Sequence, residues 1–124
     1  MKMFLFFSHE LTDDQIKDAN SMGIDEFVRL PEKLQKKWSH VPAQLDNLDE
    51  YIEDFYKFLD AEAQPGDYVL VQGDFGMCCK TVDYCRQKSL LPVYATSERV
   101  SKEIRKGDRI IKTSEFRHIK FRRY

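Results

Sequence analysis

The chain has 124 residues, of which 42% are hydrophobic, 13% aromatic and 33% charged. That is length for one domain, residues 1–124, and enough apolar content for a core, which excludes disorder and a second core. The net charge of -1 is uneven: from Glu98 to Tyr124 there are 10 basic and 4 acidic residues, against 10 and 17 in residues 1–97. A basic end on a near-neutral protein points to an anionic partner at one place, and away from coating DNA.

In chain order, Met3–Phe7 is a continuous apolar run, as in a strand covered on both faces. It is too short for a signal peptide or a membrane span. Thr12 and Gln15 then form a capping box, with Leu11 poised to staple onto Ile16, and Gly23 supplies a left-handed helix end. Phe27, Val28 and Leu30 make a second strand that stops at Pro31. Leu34 and Trp38 define a short amphipathic helix before Pro42. Asp46 is expected to cap a longer helix, with the stripe Leu48, Tyr51, Ile52, Phe55, Phe58 and Leu59 facing the core.

Tyr68–Val71 is the third strand, followed by Gln72-Gly73-Asp74-Phe75-Gly76 and a helix carrying Met77, Val82 and Cys85. Pro92–Ala95 gives a fourth strand, with Thr96-Ser97-Glu98-Arg99 read as the loop beyond it. Lys106-Gly107-Asp108 is a turn between two basic, alternating strands. The expected architecture is α/β and Rossmann-like: a three-layer sandwich, with a mainly parallel sheet of about four strands and a C-terminal antiparallel hairpin. Strict alternation along the last strand would put His118, Lys120 and Arg122 on one exposed cationic face, with Ile119 and Phe121 on the other.

Three cysteines, Cys78, Cys79 and Cys85, cluster in one stretch. An odd number without distant partners builds no disulfide framework and no zinc site, so free thiols in the reducing cytoplasm are expected, with no metal and no cofactor.

In open α/β sheets ligands collect beyond the carboxyl ends of the strands. Here those ends carry Ser8-His9, the Gln72–Gly76 loop, and Thr96–Arg99. Glycines allow close backbone approach, and a helix start offers free N–H groups to phosphate. Gln72 suits a base edge or a ribose; Asp74 suits either a helix cap or a ribose hydroxyl. The loop is neither a Walker loop nor GxGxxG. His9 suits proton transfer or stacking, or simply a backbone hydrogen bond at the helix entrance.

Four segments carry a resemblance: Phe6-Phe7-Ser8-His9-Glu10-Leu11-Thr12, Gln72–Gly76, Pro92-Val93-Tyr94-Ala95-Thr96, and Phe116–Arg122. Together they resemble a small stand-alone CRISPR-associated family found beside type III systems, with FSHxLT, GDYVLVQGDFG, IPVYATT and C-terminal FxHxxFRxY segments. The similarity runs nearly end to end, in order; Ser97 stands where the family pattern has a threonine. The resemblance implies a CARF-like domain and a ring nuclease for cyclic oligoadenylate, acting as a homodimer around the ring. It implies metal-independent attack of a ribose 2′-hydroxyl on the adjacent phosphorus. Ser8 and His9 are then candidates for hydroxyl positioning or acid–base assistance. Arg99, His118 and Arg122 are candidates for stabilising charge on phosphate, with Lys120, Thr96, Ser97 and Gln72–Gly76 binding the ligand. A module that sequesters the messenger uncut, or an RNA-binding accessory protein using the basic hairpin, would share these features.

Overall fold

A computed structural model describes all residues, Met1–Tyr124. The chain runs β1 (Lys2–Phe6), α1 (Asp13–Ser21), β2 (Glu26–Arg29), α2 (Glu32–Ser39), α3 (Glu53–Glu62), β3 (Tyr68–Val71), α4 (Phe75–Gln87), β4 (Leu91–Lys106) and β5 (Arg109–Arg123). The strands form one sheet in the order β2-β1-β3-β4-β5, with β5 alone antiparallel to its neighbour.

Period-two alternation sorts the core onto two faces. Phe4, Phe6, Val69 and Val71 point to the side covered by Trp38 of α2, Phe55 and Leu59 of α3, and Met77, Val82 and Cys85 of α4. Met3, Leu5, Leu70, Val93 and Phe121 point the other way, against Ala19 of α1. The expected capping box is formed: Gln15 N–H donates to Thr12 Oγ1 at 3.3 Å, and Thr12 N–H to Gln15 Oε1 at 2.9 Å. Gly23, at φ +89°, follows the helix in the left-handed region that favours glycine.

Three expectations are corrected. The helix predicted from Asp46 begins at Glu53; residues 47 and 48 are irregular, 49–52 are turns, and Asn47 Oδ1 accepts from Asp49 N–H at 3.1 Å. This local side-chain bond competes with the helix ladder. The Thr96–Arg99 loop does not exist: β4 continues unbroken for 16 residues into the hairpin, so the fourth strand and the first hairpin strand are one. Finally, a register shift between Thr96 and Ser97 breaks the alternation of β5, so that Thr96 pairs with Lys120 and Ser97 with His118. A bulge of this kind turns the following side chain to the other face. His118 therefore leaves the exposed row; its side chain is 5% exposed.

Candidate functional site at the strand tips

Sheet order places the topological switch between β1 and β3, since the chain leaves β1 for β2 on one side and β3 lies on the other. Helix α2 crosses this point. Gln35 Nε2 donates to the Phe7 carbonyl at 3.0 Å, and Trp38 Nε1 to the Gln72 carbonyl at 2.9 Å. Ser8 Oγ is hydrogen-bonded to Ser39 Oγ at 2.9 Å, so its hydroxyl is already engaged.

Gln72 extends the sheet with its side chain. The pairing of β3 with β4 ends at Val93, and beyond it Gln72 Oε1 accepts the Ala95 N–H at 2.8 Å. Two cavities meet at this residue. On the α1 face, Thr12, Asp14, Gln15, Gln72, Ala95, Ser97, Phe116 and His118 enclose about 290 Å³. On the α4 face, Gln72, Gly73, Phe75, Cys78, Cys79, Tyr94 and Tyr124 line about 480 Å³ of mainly apolar space.

His118 is held by α1. Its Nε2 lies 2.8 Å from Asp18 Oδ2, which also accepts the Phe121 N–H at 3.1 Å. The carboxylate thus fixes the orientation of the ring through Nε2. Nδ1 is buried and has no partner.

The glycines of the loop answer to the fold. A Cβ on Gly73 would lie 2.9 Å from Trp38 Nε1, and one on Gly76 would lie 2.8 Å from Leu48 Cδ1. Asp74 is the N-cap of α4, its Oδ2 accepting the Met77 N–H at 3.0 Å. Phe75, by contrast, is 94% exposed beside the aromatic cavity. The Tyr94 and Tyr124 rings there are 4.9 Å apart, and Arg122 donates to Tyr94 Oη at 3.0 Å with its guanidinium over the ring. The Tyr124 hydroxyl donates to the Val71 carbonyl, and burial, reinforced by Cys78, pushes that phenol up to about 12.

The remaining predicted residues scatter. His9 lines a separate cavity of about 330 Å³ with Glu10, Arg29 and Gln35, edge-on to Phe7. Thr96 Oγ1 fills the bulge, donating to the Lys120 carbonyl at 2.8 Å and accepting its N–H at 3.2 Å, so the hydroxyl is spent on the strand. Lys120 is exposed. Arg99 lies up the hairpin, donating to Ser114 Oγ at 3.2 Å, and lines neither cavity. Of the four predicted catalytic residues, only His118 lines the cavity on the α1 face. No three His, Cys, Asp or Glu side chains gather at metal-ligand spacing.

Sequence reasoning missed Asp18, Tyr94 and Tyr124. Asp18 is 100 residues from its histidine, and no local pattern on α1 marks it. The tyrosines do carry a signal, since they alternate across β4 and β5 with Arg122 as aromatic neighbours at the strand tips.

No helix is long and apolar enough to cross a membrane. No solved structure matches the chain. The protein MJ1673 of Methanocaldococcus jannaschii, itself described as uncharacterized, is 48% identical over 124 residues, spanning 99% of this chain and 96% of that one. The family model described as the uncharacterized protein MJ1673 family matches residues 1–122, and the chain belongs to that family.

Proposed function

We propose that the chain binds cyclic oligoadenylate, cyclic tetra-adenylate foremost, and cleaves it without a metal, switching off type III CRISPR signalling. On this reading the sheet is a Rossmann-like, CARF-like domain that works in the cytoplasm as a homodimer. One observation carries it. The four segments that hold the resemblance lie far apart in sequence, yet each contributes a wall residue to one cavity: Thr12, Gln72, Ala95, and Phe116 with His118.

The chemistry asks little beyond alignment. A ribose 2′-oxygen attacks the adjacent phosphorus as the bond to the 5′-oxygen breaks. The 2′-hydroxyl loses its proton and the leaving 5′-oxygen gains one. The product is a linear oligomer ending in a 2′,3′-cyclic phosphate and a 5′-hydroxyl. His118 is the group assigned to proton transfer, because it lines the cavity, Asp18 orients its ring, and its buried Nδ1 has no partner within the chain. Asp18 is a positioning residue. Phe75, Tyr94 and Tyr124 offer faces for bases across the sheet, with Gln72 common to both cavities.

A second reading, capture without cleavage, is favoured by the dispersal of Ser8, His9 and Arg99 away from that cavity. Incubating the purified protein with cyclic tetra- and hexa-adenylate in EDTA separates the two. Linear products with cyclic phosphate ends support the nuclease. Tight binding with the ring intact supports capture, and neither outcome discards both.

A further inference from the structure

Beyond Ser97 and His118 the hairpin leaves the body of the protein. From Ser97 to Arg117 every residue except Val100 is exposed. Nine further residues on each strand, 98–106 and 109–117, make an arm roughly 30 Å long at ~3.4 Å per residue. Neither face is supported by the rest of the chain, and an isolated two-stranded hairpin is marginally stable in water. Yet each face of this charged arm carries exposed large apolar side chains. Ile104 and Ile111 stand opposite each other at 48% and 42% exposure, while Ile110 and Phe116 are 64% and 78% exposed on the other face.

We propose that the arm is a clasp for a second copy of this chain. Three observations select that occupant. The first is area. A monomer of 14.7 kDa is expected to expose about 6,900 Å². This chain exposes 8436 Å². The excess, about 1,500 Å², is more than the ~800 Å² that each partner covers in a standard interface.

The second is charge. Residues 97–117 hold seven basic and four acidic side chains, whereas the rest of the chain holds thirteen basic and seventeen acidic ones. The arm is thus complementary to the body of another copy. The third is the free edge of β5, which nothing covers along Arg109–Arg117 but which is closed at its base, where Asp18 takes the Phe121 N–H. An edge left open only along the arm is a template for pairing there. Four interleaved carboxylates and an isoleucine pair suit nucleic acid poorly.

The arm rises from Ser97, Phe116 and His118, which line the cavity on the α1 face. A copy held on it sits at the rim of that cavity. The clasp rests on the homodimer part of the proposed function and locates its contact; a dimer that survives changes in the arm overturns the clasp alone, and nucleotide binding is read in a separate assay.

Sedimentation equilibrium of the full chain at micromolar concentration is expected to give a dimer. Ile104→Glu with Ile111→Lys exchanges the apolar pair for a cross-strand ion pair that keeps the hairpin, and is expected to weaken the dimer roughly thirtyfold or more. A second variant replaces residues 100–115 by a short Gly-containing turn; it should be monomeric with an unchanged circular dichroism melting curve. A wild-type monomer, or a dimer that survives both variants, overturns the proposal. So does a monomer whose arm binds linear single-stranded RNA.

Discussion

Asp18 Oδ2 lies 2.8 Å from His118 Nε2 and 3.1 Å from the Phe121 N–H, so one carboxylate on α1 holds the base of a hairpin 100 residues away. Asp18→Ala strands both donors and is expected to cost about 1–3 kcal/mol in urea unfolding. Asp18→Asn can set its amide oxygen where Oδ2 lies and still accept from both the Phe121 N–H and the imidazole, but it removes the negative charge beside the ring. For that variant a near-wild-type urea midpoint is expected, with a lowered kcat and a displaced pH–rate profile. A purely structural tie would leave the profile in place.

The two loop glycines separate by what they touch. Gly73→Ala drives a Cβ to 2.9 Å from the Trp38 indole nitrogen, which is buried and hydrogen-bonded and cannot yield. A loss of about 1–3 kcal/mol is expected. At Gly76 the neighbour is the end of the Leu48 side chain, 2.8 Å away, which can rotate aside. Gly76→Ala should cost less. Denaturant midpoints of the two variants decide the order.

Phe75 is 94% exposed, so Phe75→Ala should leave stability within about 0.5 kcal/mol of wild type. Loss of one stacked base is worth ~1–3 kcal/mol, or roughly five- to 150-fold in affinity. Titration calorimetry with cyclic tetra-adenylate checks both the affinity and, through the stoichiometry, the folded fraction.

Burial pushes the Cys85 thiol from its usual 9.0 up to about 12, and Tyr124 from 10.0 to about 12. Both groups are neutral when protonated, and the folded chain keeps protons that the unfolded chain releases. Stability is therefore full below about 9 and falls as pH climbs from there toward 12. Urea midpoints across the alkaline range should show that fall, with a shallower slope in Cys85→Ala. At neutral pH a thiol reagent should modify exposed Cys79 well before Cys85, which reacts only on unfolding.

Much of this was legible in the residues. The apolar runs of β1 and β3, the Thr12–Gln15 capping box and the turn at Gly107 are local signals, and each formed where its chemistry pointed. What escaped depends on distant partners. The bulge at Thr96/Ser97 is fixed by Lys120 across the hairpin, and it reversed the facing of His118. The long β4 hides because its outer half has no apolar alternation against a core; its charged residues read equally as a loop. The glycines of the Gln72–Gly76 loop suit a ligand in the sequence, because Trp38 and Leu48, which require them, come from other elements.

On the proposed function, separated strand tips form one binding place for a cyclic oligonucleotide, centred on Gln72. Equilibrium binding of cyclic tetra-adenylate and of linear tetra-adenylate to the wild-type protein and to Gln72→Ala, in EDTA, tests it most directly. Saturable binding that prefers the ring and is weakened at least tenfold by the variant is expected. Equal affinity for ring and line, or a variant that binds like the wild type, would contradict it.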